Sequence, residues 1–463
     1  MNKRKITNLI IIGLFLITFI IFILVFKLLS ALASTLVLSL TVITFIYIIK
    51  CFNSDKYTYY NNEVDNTIIT QHHRKQVYLI ISISIVALRL IAYAASYFLS
   101  RYFNIINNDF SEVFDRLWAS PSIDAPHYLD IAKSWYVTQG DAKYFIVFFP
   151  FFPILIKLFQ IFFQDYLISS IIVTTIASCI SGILAYELAL LDFDEKTAIR
   201  FVKYIFIIPA AFFYFAPMSE SVFIMLCLGC IYFARKRKYV LMAVLGILAA
   251  FTRSAGVLLM LPCAIITFLD TLYESKIEAN GLFAKNLIKR WLLTISISLG
   301  LVTYLIINYT VWHNPFQFTL FQMEHWNQSL GFFGNTVDMI WDYFTGSLSK
   351  ITTGVWMTDY QLKLAYSLWL PQLVCIFSSL FIMIGCSRKI HPAYSAFFIA
   401  YFVFSIGATW LLSSPRYLMA CFPIPLGIAA MTKNKTADII STALCSILSI
   451  TFFIMFTSSC PIY

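Results

Sequence analysis

Apolar runs of membrane-span length follow one another through nearly the whole chain, and ionisable side chains are largely confined to the short stretches between them. The runs lie near 8–26, 29–49, 77–100, 166–191, 201–216, 219–234, 239–251, 254–270, 291–309, 363–386, 391–412, 417–431 and 439–457. A helix needs about 20 consecutive apolar residues to cross the hydrocarbon core of a bilayer. Some of these runs are shorter, so tilted or partly re-entrant helices are expected among them. Only 12% of the 463 residues are charged and 60% are hydrophobic, with a mean hydropathy of +0.80. Soluble domains carry about 25% charged residues. A soluble enzyme, a disordered chain, a coiled coil and a secreted disulfide scaffold are thereby excluded. The alternation of an outer-membrane barrel is absent. The expected class is an all-α polytopic membrane protein with about 11–13 transmembrane helices.

Charge distribution orients such a chain. The 33 Lys and Arg exceed the 23 Asp and Glu, giving a formal net charge of +10. Placing Lys3, Arg4 and Lys5 in the cytoplasm puts 21 of the 33 basic residues on the same side: with those three, Lys50, Lys56, Lys196, Arg200, Lys276 and the clusters Arg74–Lys75, Arg235–Lys238, Lys285–Arg290, Arg388–Lys389 and Lys433–Lys435. Such clusters report orientation and contact with anionic headgroups, and a nucleic-acid partner is not expected. The alternation holds only if Tyr144–Phe163 does not cross. Pro150 and Pro153 interrupt a helix there and Lys157 interrupts its apolar face, so an interfacial or half-inserted helix on the outer side is expected. Residues 101–165 and 310–362 then form long outer loops. The reading divides the chain into two N-terminal helices with a cytoplasmic loop (1–76), a central membrane domain (77–431) and a last helix (432–463).

Met1–Lys5 followed by a long apolar run without a small-residue cleavage site reads as a signal anchor. Of the ten cysteines, Cys227 and Cys230 form a C-x-x-C inside an apolar run, without a second pair or histidines, and read as helix packing.

Ionisable groups are costly at membrane depth, so each one that remains is a candidate for function. The topology collects Asp124, His127, Asp130, Glu220, Arg253, Glu324, His325 and Arg416 on the outer face, from segments far apart in sequence. In SIDAPHYLDIAKSWY, the residues Tyr128, Ile131, Ala132 and Trp135 form a helical apolar stripe, and Asp124 stands where an N-cap is expected. Glu220 lies in PAAFFYFAPMSESVF, Arg253 beside Gly256 in FTRSAGV, and Arg416 after Pro415 in SSPRYL. Glu324 and His325 lie in NPFQFTLFQMEHWNQS, whose mixture of aromatics and amides suits sugar contacts. Arg89, inside an apolar run, reads as a structural partner of a backbone carbonyl or an acid. Carboxylates with arginines suit transfer of a group from a lipid phosphate, because a carboxylate can take a hydroxyl proton while arginines neutralise a phosphate leaving group. Phosphate-cradle, zinc-protease and serine-hydrolase motifs do not occur.

These segments resemble the PIG-V family, the GPI mannosyltransferase II enzymes and their prokaryotic relatives. Asp124 matches the family's aspartate, Tyr128–Ala132 its helix and Tyr136 its tyrosine; Phe148, Phe149, Pro150 and Pro153 match its Phe-Phe-Pro-x-x-Pro block. Glu220 falls on the family glutamate, and Arg253 and Gly256 on its Thr-Arg-Ser-x-Gly block. Ile123 stands where the family has Trp, and Trp135 where it has Gly. The resemblance implies a GT-C-type bundle and a glycosyltransferase, most simply a mannosyltransferase, using a polyprenyl-phosphate sugar with inversion. It implies Asp124 as general base, Glu220 as a second catalytic group, and Arg253 and Arg416 as phosphate ligands. His127, Asp130, Glu324 and His325 are further substrate-binding candidates. No cofactor or metal is implied beyond the lipid-linked sugar, and the acceptor would be a glycolipid, polymer or protein hydroxyl. Residue usage favours a bacterial plasma membrane over the endoplasmic reticulum. A transporter or lipid flippase is the competing expectation, and it predicts inverted repeats and mid-membrane charges.

Overall fold

The computed structural model describes residues 16–53, 71–103, 109–119, 123–278, 283–356, 358–458 and 460–462. The regular structure among them is helical, and strand-like pairing amounts to an isolated bridge between Leu330 and Ala408. Seven helices are long and apolar enough to cross a membrane: Leu28–Phe52, Gln71–Tyr102, Tyr166–Ala189, Ser254–Lys276, Phe283–Trp312, Tyr360–Cys386 and Lys435–Thr457. Shorter apolar helices occupy Leu16–Val25, Tyr239–Thr252 and Pro392–Ile406. The chain is an all-α, multi-pass membrane protein. The start of the expected first run, the Lys3–Lys5 cluster and Lys56 lie outside the described residues.

Helix faces show why the runs pack as they do. On Gln71–Tyr102 the buried positions are Val77, Ile81, Ile85, Arg89, Tyr93, Ser96 and Ser100, a stripe at three- and four-residue spacing. Leu79, Ile80, Ile83, Leu90 and Ile91 on the other faces remain exposed, as a lipid-contacting surface requires. The buried hydroxyls of Ser178 and Ser181 bond to carbonyls one turn earlier, so these two add no unsatisfied group to the bundle interior. A continuous apolar core links the bundle from Ala33 to Ile462.

Two expected runs are broken. The run 201–216 continues the helix Glu195–Ile207, which stops before Pro209; Ala210 takes a left-handed φ of 68° and a 3₁₀ turn follows over Ala211–Phe215. The run 417–431 divides into Ser414–Met419 and Pro423–Met431, because Pro423 opens a new helix. In the stretch expected to be interrupted, the 3₁₀ segment Asp141–Val147 meets the helix Phe151–Phe163 at 109°. Phe148–Pro150 form the corner, and Pro150 sits at the N-cap of the second helix.

The corner is held from several directions. The Tyr136 hydroxyl donates to the Phe148 carbonyl (2.5 Å) and the Tyr304 hydroxyl to the Ile146 carbonyl. Phe149 stacks on Tyr304 with centroids 3.9 Å apart. Phe152 is buried against Tyr128. Of the aromatic residues of the Phe-Phe-Pro-x-x-Pro block, Phe148 and Phe152 pack on Tyr128 of the helix that follows Asp124, while Phe149 packs on Tyr304 and Phe318.

Candidate active site at the break between helices

Each charged group of the site stands at a helix interruption. Pro217 ends the extended linker after the 3₁₀ turn, and Glu220 then becomes the first residue of Glu220–Arg235. A carboxylate is favoured there by the unpaired amides and dipole of the helix N-terminus. Arg253 separates the helix Tyr239–Thr252 from a 3₁₀ turn, with extended backbone (φ −153°, ψ 145°) that turns its side chain out of the helix row. Arg416 belongs to the short helix Ser414–Met419, begun by Pro415.

The four groups join in one network. Arg416 Nη2 lies 2.7 Å from Asp124 Oδ2, and its Nε lies 3.4 Å from Glu220 Oε1. Arg253 Nη1 donates to the same Glu220 oxygen at 2.7 Å and to Ser219 Oγ at 3.1 Å. Ser219 Oγ is also 2.9 Å from the Tyr128 hydroxyl. Glu220 is 1% exposed on its side chain, Arg416 6% and Arg253 18%, whereas Asp124 is 26% exposed. Glu220 is thus the buried anchor of both guanidinium groups, and Asp124 is the carboxylate that reaches open space. The contact of Arg416 Nε with Glu220 is an ion pair without hydrogen-bond geometry, and Glu220 Oε2 has no hydrogen-bond partner among the described residues. Tyr417 lies between the two cations, its ring centroid 5.6 Å from the Arg253 guanidinium and 5.3 Å from that of Arg416.

The supporting contacts explain the rigidity of this arrangement. Arg89 donates to the carbonyls of Tyr214 (2.8 Å) and Ile171 (3.2 Å) and to Thr174 Oγ1 (3.0 Å), and Tyr93 donates to the carbonyl of Phe215 (2.6 Å). The expected role of Arg89 as a carbonyl partner is what the structure shows. The Tyr214 and Phe215 carbonyls belong to the 3₁₀ turn just before Ser219 and Glu220, and Ile171 and Thr174 belong to the helix Tyr166–Ala189, so Arg89 ties the turn to that helix. The Tyr214 hydroxyl continues to the Met419 carbonyl (2.7 Å), and the Tyr401 hydroxyl to that of Tyr417 (3.0 Å), fixing the helix that carries Arg416. Gly256 is required by close approach: a Cβ there would stand 2.3 Å from the Ala249 carbonyl carbon. That contact seats the turn after Arg253 on the preceding helix.

Two expectations for the Asp124 helix change. Asp124 does occupy the N-cap position of Ala125–Ser134, but its side chain makes no cap hydrogen bond, because the carboxylate is directed to Arg416. Trp135 leaves the apolar stripe: it ends the helix with φ 61° and is 37% exposed, while Leu129 joins Tyr128, Ile131 and Ala132 in the buried face.

A polar cavity of about 220 Å³ opens on the network and is lined by Asp124, Tyr128, Phe148, Arg253, Arg416 and Tyr417, among others. Beside it lies a mostly apolar cavity of about 550 Å³, lined by residues such as Val257, Leu258, Leu301, Phe318, Leu330 and Phe404. Arg253, Ser254, Gln322, Gln328 and Tyr417 line both. The joint between the cavities is therefore cationic and polar.

The remaining candidates line neither of these two cavities. His127 packs against Phe145 and Phe148, and burial lowers its pKa below the usual imidazole value. Asp130 is exposed. Glu324 accepts from the Tyr144 hydroxyl (2.9 Å) and His325 stacks on the Tyr144 ring at 4.3 Å. Residues not singled out from the sequence for the site include Ser219, the hydroxyl of Tyr128, Tyr417, Gln322 and Gln328. Their one sequence signal is adjacency to a charged candidate. Cys227 and Cys230 are buried in helix packing, with Cys230 Sγ 3.6 Å from Cys263 Sγ.

No protein-family model matches the chain, and no curated protein matches it in sequence. Among solved structures, it is similar to ArnT from Cupriavidus metallidurans bound to undecaprenyl phosphate, at 15% identity and a TM-score of 0.45, covering 78% of this chain and 62% of that one. It is similar to the oligosaccharyltransferase of Archaeoglobus fulgidus in the apo form, at 11% identity and a TM-score of 0.39, covering 81% of this chain and 56% of that one. The same enzyme tethered to an acceptor peptide gives 12% identity and a TM-score of 0.39, covering 81% and 55%. The matched region thus spans less than two-thirds of each of these chains.

Proposed function

We propose that this protein is a GT-C-type membrane glycosyltransferase, PIG-V-like and most simply a mannosyltransferase. In this reading it transfers a sugar from a polyprenyl-phosphate donor to an acceptor hydroxyl at the outer face of a bacterial plasma membrane. The observation that carries the reading is the position of Arg253 and Tyr417 at the joint of the two cavities, with Asp124 exposed in the polar one. An amphipathic lipid phosphate has the matching shape: an apolar chain, an anion at the joint, and a polar group beyond it.

The chemistry follows from the charges. Glu220 holds Arg253 and Arg416 in place from below. An arriving phosphate competes with Asp124 for Arg416, since both are anions seeking the same donors. Displacement of Arg416 by the phosphate frees the Asp124 carboxylate to accept a hydrogen bond from the acceptor hydroxyl. The acceptor oxygen forms a bond to the anomeric carbon as the bond from that carbon to the phosphate oxygen breaks. Polyprenyl phosphate leaves with the electron pair, Asp124 takes the hydroxyl proton, and the configuration inverts. The arginines stabilise the charge gathering on the leaving phosphate. The reading needs no metal and no cofactor beyond the donor lipid, and it leaves the acceptor as a glycolipid, polymer or protein hydroxyl.

The test is transfer from polyprenyl-phosphate mannose in proteoliposomes by the wild type and by Asp124→Asn. Loss of transfer with normal protein levels supports the reading. Full activity of the variant, or substrate movement across the bilayer without a glycosidic bond, refutes it.

A further inference from the structure

Beyond the ion network, the polar cavity has one wall that the proposed chemistry does not use. Gln322 and Trp326 lie one turn apart on the helix Gln317–Trp326, and Gln328 follows just after it; all three line the same cavity as Asp124 and Arg416. Glu324 and His325, the charged and titratable residues of the same segment, face Tyr144 instead.

The wall is built rather than incidental. Gln322 Nε2 donates to Gln328 Oε1 at 2.5 Å, and the Gln328 amide donates to the Gln322 carbonyl at 3.0 Å. Asn327 makes the reversal possible with a left-handed φ of 53°. The strand-like strap that follows is tied to the chain leading to Arg416: Gly331 N donates to the Gly407 carbonyl (2.6 Å), Thr409 N to the Ser329 carbonyl (2.9 Å) and Ser329 N to Thr409 Oγ1 (2.9 Å). Trp326 is braced edge-on by Phe148 at 5.8 Å. The amide pair and the indole are thus set at a fixed place relative to the cationic joint.

Resting on the donor assignment above, we infer that Gln322 and Gln328, backed by Trp326, are the specificity-determining residues that read the transferred sugar, and that this sugar is an uncharged monosaccharide. A pair of terminal amides hydrogen-bonded to each other still offers both donors and an acceptor, whichever way each amide is turned, and adjacent sugar hydroxyls need both. An indole face complements the apolar face of a sugar ring. The charged groups lining the polar cavity are Asp124, Arg253 and Arg416, and all three belong to the ion network. No further charge among the lining residues would pair with an amino or carboxyl group on the sugar. The volume of about 220 Å³ also lies below that of a drug-sized ligand site, about 300–1,000 Å³, and suits a single ring. Both glutamines line the apolar cavity as well, which places them at the phosphate end of the donor and not at the far side of an acceptor.

The experiment measures binding of the full chain in nanodiscs to undecaprenyl phosphate, to polyprenyl-phosphate mannose and to a polyprenyl-phosphate amino sugar. Gln322→Leu and Gln328→Leu should each weaken mannose-donor binding about tenfold, the worth of one or two neutral hydrogen bonds, while binding of undecaprenyl phosphate is retained. Gln328→Glu should shift preference towards the amino-sugar donor. Equal mannose-donor affinity in the wild type and in both leucine variants overturns the inference, as does a wild-type preference for the amino-sugar donor. Failure of the wild type to bind any of the three lipids refutes the donor reading itself, a separate outcome.

Discussion

Arg416 Nη2 sits 2.7 Å from Asp124 Oδ2, so the carboxylate that faces the cavity is held by a cation proposed to bind the lipid phosphate. The proposed base and a proposed phosphate ligand are therefore directly linked.

That link predicts opposite effects on binding and chemistry. Asp124→Asn should lower turnover by about 10²–10⁴, the usual contribution of a general base. Binding of undecaprenyl phosphate should not weaken, because the competing anion is gone. Titrating the lipid into purified wild type and variant, alongside single-turnover transfer, separates the two quantities.

Arg253 offers a second division. Its Nη1 is shared between Glu220 and Ser219, leaving the rest of the guanidinium to face the cavity joint. Arg253→Lys retains charge but not the fork, and charge-assisted hydrogen bonds contribute about 1.5–3 kcal/mol each. Donor KM should rise at least about tenfold. A variant with unchanged donor KM would remove Arg253 from the phosphate site.

Removing Glu220 should cost more stability than removing Asp124. Glu220 is buried with two guanidinium groups upon it, and loss of one partner of a buried ion network costs about 3–5 kcal/mol. Glu220→Ala should unfold at lower temperature in detergent than Asp124→Ala, whose partner retains Glu220. Equal melting temperatures would contradict the anchoring role.

The turn before Glu220 gives a prediction remote from the cavity. Tyr93→Phe leaves the buried Phe215 carbonyl without its donor, at a cost of about 1–3 kcal/mol. Turnover and donor affinity should both fall, since the turn positions Glu220 and Glu220 holds the two arginines proposed to bind the phosphate. Wild-type kcat and donor KM in this variant would remove the turn from that role.

His127 should shape the acid limb of stability. Burial among Phe145 and Phe148 lowers its pKa, with Asp124 and Asp130 opposing that shift and His325 adding to it. The folded state thus prefers neutral imidazole, and the unfolded chain takes up the proton first as pH falls below about 6.5. Stability from this group is present above that value and declines below it. His127→Phe should flatten the decline in a pH series of thermal melts.

Much of the architecture was readable along the chain, because the bilayer imposes a long apolar period that survives any detail of packing. The runs, the scarcity of charge and the break at Pro150 all have local causes. Asp124, Glu220, Arg253 and Arg416 stood out for the same reason: a charge in such a chain is conspicuous. The two broken runs were less legible, since Pro209 and Pro423 stop a helix without lowering the hydropathy around them.

What local pattern could not supply was partnership. Asp124 reads as a helix cap from its neighbours, but a guanidinium from a segment nearly three hundred residues away offers a stronger bond than the amides of its own helix. Gln322 and Gln328 are ordinary surface amides in the sequence, and only the fold sets them in the lining of the same cavity as that ion pair. Composition and periodicity determined that this chain enters a membrane as helices and where its costly charges lie. Tertiary structure decided which of them meet, because the energy of a buried charge depends on distances that spacing along a chain does not encode.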